Sequence, residues 1–464
     1  MMERYSIIMA AGKGTRMKSK LPKVLHQVGG KTMVDLVLDT ILATGVKKVV
    51  TVVGHEAELV QAQVADRSEV VVQALQLGTG HAVQMAAPIL AKQKGATLIA
   101  SGDAPLFTQA TYEQAFAYHE QSGNAVTVLT AKAQDPFGYG RIIRDHDGAV
   151  LRIVEQKDAN NTEAKVDEIN TGVYVFDNQL LFTALEQVNN DNAQGEYYLP
   201  DTLEILRNQA HIVGAYQIED FNESMGVNDR IALAQANQVL RQRINVQHMR
   251  NGVTLIDPQN TYIDVDVQIE ADTVIESNVI LKGKTVIESD VILTAGTRII
   301  DSQIKAGSII ENSTIEASVV GPQATIGPYA HLRPASEVGL RAHVGNFVEL
   351  KKAQLGTDTK AGHLTYIGDA TIGSEVNIGA GTVFVNYDGQ NKHHTKIGDR
   401  AFIGSNTKIV APVEMGAETI SAAGSTITHD IPDHAMGIAR ARQENKLDFW
   451  DRLPIANKFK SAKK

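Results

Sequence analysis

The chain has 464 residues, 43% of them hydrophobic, and a formal net charge of −9. That length suits about two to four domains with full cores, and the acidity argues against a general nucleic-acid surface while allowing local basic patches. With no cysteine, disulfides, thiolate metal sites and cysteine nucleophiles are excluded.

The N-terminus runs from Tyr5 to Ala11 straight into glycine-rich sequence, without a charged-then-apolar leader. No apolar run nears the ~20 residues that span a bilayer. Both features predict a cytoplasmic protein with no stable membrane insertion, and Lys458, Lys460, Lys463 and Lys464 read as a solvated tail. Strand patterns fall at 6–9, 48–53, 69–72, 96–100 and 125–130. Helical patterns fall at 33–42, 56–64, 81–92 (broken by Pro88) and 109–119. After Phe137 the sequence takes on hairpin character, with Asp147-Gly148 as a turn. The alternation predicts an α/β, Rossmann-like domain over 1–228, a mostly parallel sheet covered on both faces, with ligands beyond the carboxyl ends of its strands. Leu233, Ala236, Leu240 and Ile244 share one helical stripe, which makes 229–250 a helical linker to a second domain over 251–464.

That second domain is ordered by a period of six. Ile269, Ile275, Leu281, Ile287 and Leu293 are followed by Val320, Ile326, Leu332, Val338, Val344 and Leu350, then by Ile372, Ile378 and Phe384. Six fits neither a helix nor a single strand, but it fits a parallel β-helix of hexapeptide repeats, three to a triangular coil. Glycine often follows the aliphatic residue, as at Gly321, Gly339 and Gly379, and is read as serving the backbone angles of the corners. The pattern resembles the left-handed β-helix of hexapeptide acyltransferases, which implies the hand and a homotrimer.

The sharpest motif ends the first strand: Ala10-Ala11-Gly12-Lys13-Gly14-Thr15-Arg16-Met17, then Leu21-Pro22-Lys23. Its glycines let backbone N–H groups approach phosphate oxygens, and Arg16 and Lys23 add positive charge. It resembles the signature of nucleotidyltransferases that join a nucleoside triphosphate to a sugar 1-phosphate. With the hexad coil, nearly the whole chain resembles the bacterial bifunctional N-acetylglucosamine-1-phosphate uridyltransferase / glucosamine-1-phosphate N-acetyltransferase family.

The resemblance implies acetylation of glucosamine 1-phosphate by acetyl-CoA, then uridylyl transfer from UTP. The product is UDP-N-acetylglucosamine, a precursor of bacterial cell-envelope polysaccharide. In the first domain it implies that Met9, Ala10, Ala11 and Gly12 line the uracil and ribose side, that Gln73, Gly78 and Thr79 read the base, and that Ser101 and Gly102 lie at the nucleotide. Ser101 stands where members often carry a bulkier residue. Asp103 and Asn228 would hold Mg2+, while Gly140, Glu155 and Asn170 would hold the amino sugar. Arg16 and Lys23 would stabilise charge at the reacting phosphates.

In the coil, Gly362-His363-Leu364-Thr365-Tyr366 interrupts the hexad rhythm. A histidine titrating near 6.5 can serve as a base at neutral pH. The resemblance makes His363 that base, with Glu349 orienting its ring. It implies that Arg333 and Lys351 hold the sugar phosphate, that Tyr366 and Asn377 contact the sugar, and that Asn386 or a nearby N–H stabilises the oxyanion. Ala380, Asn386, Tyr387, Ser405, Ala423 and Arg440 would meet acetyl-CoA. Residues 390–396 break the hexad count and read as a loop, and the adjacent His393 and His394 read as exposed loop residues rather than metal ligands.

Overall fold

The computed structural model describes residues 2–460, so Lys463 and Lys464 of the basic tail lie outside the described residues. The chain divides into two compact units. The first runs to Val246 and takes in Ile263–Val265, and the second takes the remainder.

The first unit is built on strands β1 (Arg4–Ala10), β2 (Lys48–Val53), β3 (Glu69–Val72), β4 (Ala96–Ser101), β5 (Val126–Lys132), β6 (Gly140–Arg144), β7 (Val150–Val154), β8 (Glu168–Asp177) and β9 (Val213–Gln217). The sheet order is β9-β5-β8-β4-β1-β2-β3, with β6 bridging β8 and β7. Strand β1 pairs in parallel with both neighbours, Ile7 opposite Val50 and Ile99. Its side chains alternate between two cores, Ile8 and Ala10 into one and Tyr5 and Ile7 into the other, which is why it reads as a continuous apolar run.

Two expectations need correction. The sheet is mixed, because β8 runs antiparallel to β4 and β5, with Tyr174 opposite Ile99 and Val128. The chain reaches β8 through the β6–β7 hairpin, and antiparallel strands need no crossover helix. The helix expected over 81–92 is two short helices, Thr79–Gln84 and Ala87–Leu90. Pro88 lies in the first turn of the second, where its missing N–H costs no helical bond. The helix Arg230–Arg250 forms as its stripe requires. Ala236 is fully buried with Val28, Met33 and Leu106, and Leu233 and Leu240 pack against them.

The second unit is a left-handed parallel β-helix. Its strands are mostly two or three residues long, and each pairs with the third one along the chain, giving three per turn. Ile275 lies against Leu293 and Ile287 against Ile304, so a turn takes 18 or 17 residues. The hexad aliphatics fill the interior, with Ile275, Leu281, Ile287 and Leu293 wholly buried.

Gly327 takes positive φ as expected of a corner (109°), but other glycines that follow the aliphatic residues serve a different purpose. Gly321 and Gly339 are not in the left-handed region. A Cβ on either would lie 2.7 Å from a carbonyl oxygen of the next turn, so close stacking excludes a side chain there. Left-handed corners are taken by many residue types, among them Asp272, Asn278 and Asp290 (φ 62°, 60° and 57°), whose short polar side chains tolerate this conformation. Among the described residues no helix is long and apolar enough to cross a membrane.

Truncating an inward residue leaves a cavity that neighbouring turns cannot fill. Ile299→Ala is expected to cost about 2–5 kcal/mol, read as a lower urea midpoint for the coil. Ile292→Ala, on the outer face and 39% exposed, is expected to cost within about 0.5 kcal/mol.

Candidate active sites

In the first unit a cleft of about 240 Å³ opens where β1 and β4 end. Met9, Ala10, Ala11 and Gly12 line it together with Lys23, Gln73, Gly78, Thr79, Ser101 and Asp103. Strand register sets Met9 beside Ser101, and the Gly102 N–H donates to the Met9 carbonyl at 2.9 Å. Gln73 is buried. Its amide nitrogen lies 3.1 Å from the Gly78 carbonyl and 3.0 Å from His81 Nδ1, which leaves its oxygen for a ligand donor. Arg16 is exposed on the short turn Thr15–Met17 and does not line the cleft. Gln76 and Glu196 do line it, although neither was among the expected binding residues. Glu196 arrives from a loop more than a hundred residues away, so no local spacing announces it.

The charged end of the cleft is held by four side chains. Lys23 Nζ donates to Asp103 Oδ2 and, at 3.1 Å, to Asn228 Oδ1. Ser101 Oγ donates to the other Asp103 oxygen at 2.5 Å, and the Val227 N–H donates to the Asp103 carbonyl at 2.9 Å, bringing Asn228 into place. A carboxylate and an amide oxygen thus converge on one cationic group, and the ammonium stands in for a cation there. Such a donor pair fits Mg2+, which takes few protein oxygens and completes its shell with phosphate and water. Among the described residues no group of three or more His, Cys, Asp or Glu forms a metal cage.

A second cavity, about 140 Å³, shares Met9 and Thr79 with the cleft and is lined by Glu155, Asn170 and Tyr174. Gly140 is paired with Asn170 in the β6–β8 register. Burial pushes the Glu155 carboxyl above the usual glutamate range, with the charges of Asp158 and Asp201 adding to the shift and Arg141 opposing it.

In the coil, turn-on-turn register decides which groups meet. Asn346 is paired with His363, and Asn346 Oδ1 lies 3.0 Å from His363 Nδ1. Glu349, expected to orient the imidazole, instead accepts from Arg333 Nη1 at 3.0 Å. It is three residues further along the strand, opposite Tyr366. The signal for Asn346 lay in the coil period, since it precedes His363 by one turn.

The remaining expected residues fall at two corners. At the first, Asn377 is paired with Lys360 and Phe402. The Leu364 carbonyl accepts from Gly381, that of Ala380 from Asn406, and that of Ser405 from Gly424. Those bonds stack His363, Ala380, Ser405 and Ala423 along one edge. Arg440 reaches this edge, since a Cβ on Gly424 would lie 3.8 Å from its Cδ.

The second corner gathers Arg333, Lys351, Tyr366 and Asn386. A Cβ on Gly368 would lie 2.5 Å from the Tyr366 hydroxyl and 2.6 Å from Asn386 Nδ2. Asn386 Nδ2 donates to Asp369 at 2.5 Å, leaving one N–H. Tyr387 is exposed and donates to the Gly389 carbonyl. Lys392, which the sequence reading missed, brings its ammonium against that of Lys351. This contact, with some burial and the Arg333 charge, holds Lys351 below the ordinary lysine value. In the same loop His393 bonds Asp388 at 2.7 Å and His394 bonds Thr371 at 3.0 Å, so the two rings go separate ways.

Residues 5–224 match a family model described as Nucleotidyl transferase. The chain is 58% identical to the bifunctional protein GlmU of Lactobacillus delbrueckii subsp. bulgaricus, across 98% of its own length and 99% of the relative's. The GlmU proteins of Latilactobacillus sakei subsp. sakei and Streptococcus suis are 58% and 57% identical at the same coverage. The chain belongs to the bifunctional GlmU family. It is therefore a two-activity transferase that makes UDP-N-acetylglucosamine through an acetyltransferase and a uridyltransferase. Its substrates are sugar phosphates, a nucleotide and acetyl-CoA.

For this GlmU-family chain the Lys351–Lys392 contact is directly testable. Lys392→Met is expected to return Lys351 toward the ordinary lysine range. Its acetic anhydride reactivity, mapped by mass spectrometry, should then rise only at higher pH than in the parent protein.

Proposed function

We propose that uridylyl transfer runs in the cleft at the ends of β1 and β4, that acetyl transfer runs at the coil corners, and that a cytoplasmic homotrimer is the working form. The observation that carries this reading is the meeting of Lys23, Asp103 and Asn228 at the mouth of a nucleotide-sized cleft.

In uridylyl transfer a phosphate oxygen of N-acetylglucosamine 1-phosphate attacks the α-phosphorus of UTP in line, and pyrophosphate leaves. The attacker is already an anion, so the protein positions the groups and neutralises charge rather than removing a proton. Gln73 presents its free amide oxygen to the uracil N–H. Glu155 and Asn170 hold the sugar, and Lys23 exchanges Asp103 and Asn228 for phosphate oxygens. Arg16 approaches from the exposed turn. Mg2+, held by Asp103 and Asn228, would neutralise charge on the phosphates.

In acetyl transfer the amine of glucosamine 1-phosphate attacks the thioester carbonyl. Asn346 accepts from His363 Nδ1–H, which leaves the Nε2 lone pair free to take the amine proton. The free N–H of Asn386 faces the developing oxyanion, and CoA departs as the thiolate. Arg333, Lys351 and Lys392 bind the sugar phosphate, whose charge relieves the repulsion between the two ammonium groups. Arg440 meets the CoA phosphates beyond the small residues Ala380, Ser405 and Ala423.

Two features favour the trimer. Within one chain the base and the phosphate-binding cations occupy different corners of the coil, so a neighbouring copy can bring the missing corner. Tyr329 and Phe347 stack at 5.7 Å while more than half exposed, and Leu364 beside the base is 62% exposed. That apolar surface calls for cover. Both UTP and acetyl-CoA are cytoplasmic metabolites, and the product suits cell-envelope polysaccharide synthesis.

A product assay with glucosamine 1-phosphate, acetyl-CoA, UTP and Mg2+ tests the whole reading. UDP-N-acetylglucosamine is expected only with all four. His363→Ala is expected to lower acetyl transfer by about 10²–10⁴-fold and leave uridylyl transfer intact, whereas Asp103→Asn should do the reverse. Asn346→Leu is expected to lower acetyl-transfer kcat about tenfold or more by freeing the imidazole. Normal acetylation by the His363→Ala protein would remove the base assignment.

A further inference from the structure

Strand β8 is broken in one place. Its pairing with β5 loses register between Asn170 and Tyr174, and Gly172 within the break has φ 78°. In a regular strand, residues four apart are separated by about 13 Å. Here Asn170 Nδ2 donates to the Tyr174 hydroxyl at 2.7 Å. Bulges of this kind re-aim side chains beside active sites, and this one turns two polar groups into the cavity shared with Glu155.

The bonding pattern fixes which way each group points. The Gly172 N–H donates to Asn170 Oδ1 at 3.0 Å, so Asn170 presents its N–H to Tyr174. The phenol oxygen is therefore an acceptor in that bond, and its own proton is left to donate elsewhere. Among the described residues no acceptor takes it. The ring is 2% exposed and packs against Phe176 at 5.9 Å. Burial and the Glu155 charge push the phenol well above its usual range, so it keeps that proton at every working pH. A buried hydroxyl with an unspent proton in a small polar cavity needs a partner.

We infer that Tyr174 is a substrate-contact and specificity residue, its hydroxyl donating to an oxygen of the amino sugar while it holds Asn170 in place. The inference rests on the reading that Glu155 and Asn170 bind N-acetylglucosamine 1-phosphate. The hydroxyl contributes equally to ground state and transition state, because it lies at the sugar rather than at the reacting phosphates. Its loss therefore weakens binding without slowing the chemical step.

The test is Tyr174→Phe in the full-length protein, which removes one oxygen and keeps the ring. Uridylyl transfer is followed with N-acetylglucosamine 1-phosphate varied at saturating UTP, then with UTP varied, and Asn170→Ala is run alongside. The expected result is a KM for the amino sugar raised about tenfold, the loss typical of one hydrogen bond, with kcat within about twofold and KM for UTP unchanged. Acetyl transfer and the melting temperature of the same protein report on folding. An unchanged sugar KM in Tyr174→Phe with a raised one in Asn170→Ala would overturn the role of Tyr174 and leave the sugar site standing. An unchanged sugar KM in both variants would overturn the sugar site itself. Equal losses for sugar and UTP with a lower melting temperature would make the hydroxyl a purely structural group.

Discussion

The parallel ladder between His343–Leu355 and Lys360–Ile372 sets Asn346 beside His363, Glu349 beside Tyr366 and Lys351 beside Gly368. The proposed base and its neighbours owe their places to that register. A slip of one residue would send the aliphatic interior outward and the polar edge inward, so the buried ladder of Val344, Leu350, Ile367 and Leu355 is also what fixes the imidazole against its amide partner. Stability and the proposed chemistry use the same pair of strands here, through opposite faces.

The first unit solves the positioning problem differently. Parallel strands β1 and β4 end side by side, and the loops leaving them carry Gly12 and Asp103 to one place. Asn228 reaches the same point from far along the chain because the Val227 N–H is bonded to the Asp103 carbonyl. A rigid sheet thus presents residues distant in sequence at a common edge, as open α/β sheets do. The coil brings together residues one turn apart.

Legibility follows from this contrast. The hexad aliphatics, the glycine-rich motif, the helix over 230–250 and most strands were readable, because each is a local pattern with a period or a spacing. Partnerships across the fold were not. Glu349 was the expected partner for His363, as a third group that holds a base, yet the register gives that place to Asn346. Gly321 and Gly339 looked like corner residues, but the next turn's carbonyls exclude their side chains. The antiparallel course of β8 was hidden because its apolar run looks the same in either direction. Lys392 and Glu196 sit in loops, where no periodicity marks a residue.

The charged groups of the two sites also differ in how they are kept. Lys23 rests between Asp103 and Asn228, and Arg333 rests on Glu349. In the proposed reading substrate phosphate competes with those partners, and without it neither of these charges is left uncompensated. Lys351 and Lys392 are held in mutual repulsion instead. Because Lys392 is exposed and Lys351 only half-buried, solvent screens that repulsion and the fold bears it cheaply. In the proposed reading, a phosphate arriving there would gain the relief of the repulsion as well as its own contacts. The same logic extends to the Tyr174 hydroxyl, whose unspent proton is neutral and buried: the coil keeps an unmet charge near its surface, the sheet keeps an unmet hydrogen bond in its interior, and in the proposed reading a ligand completes each.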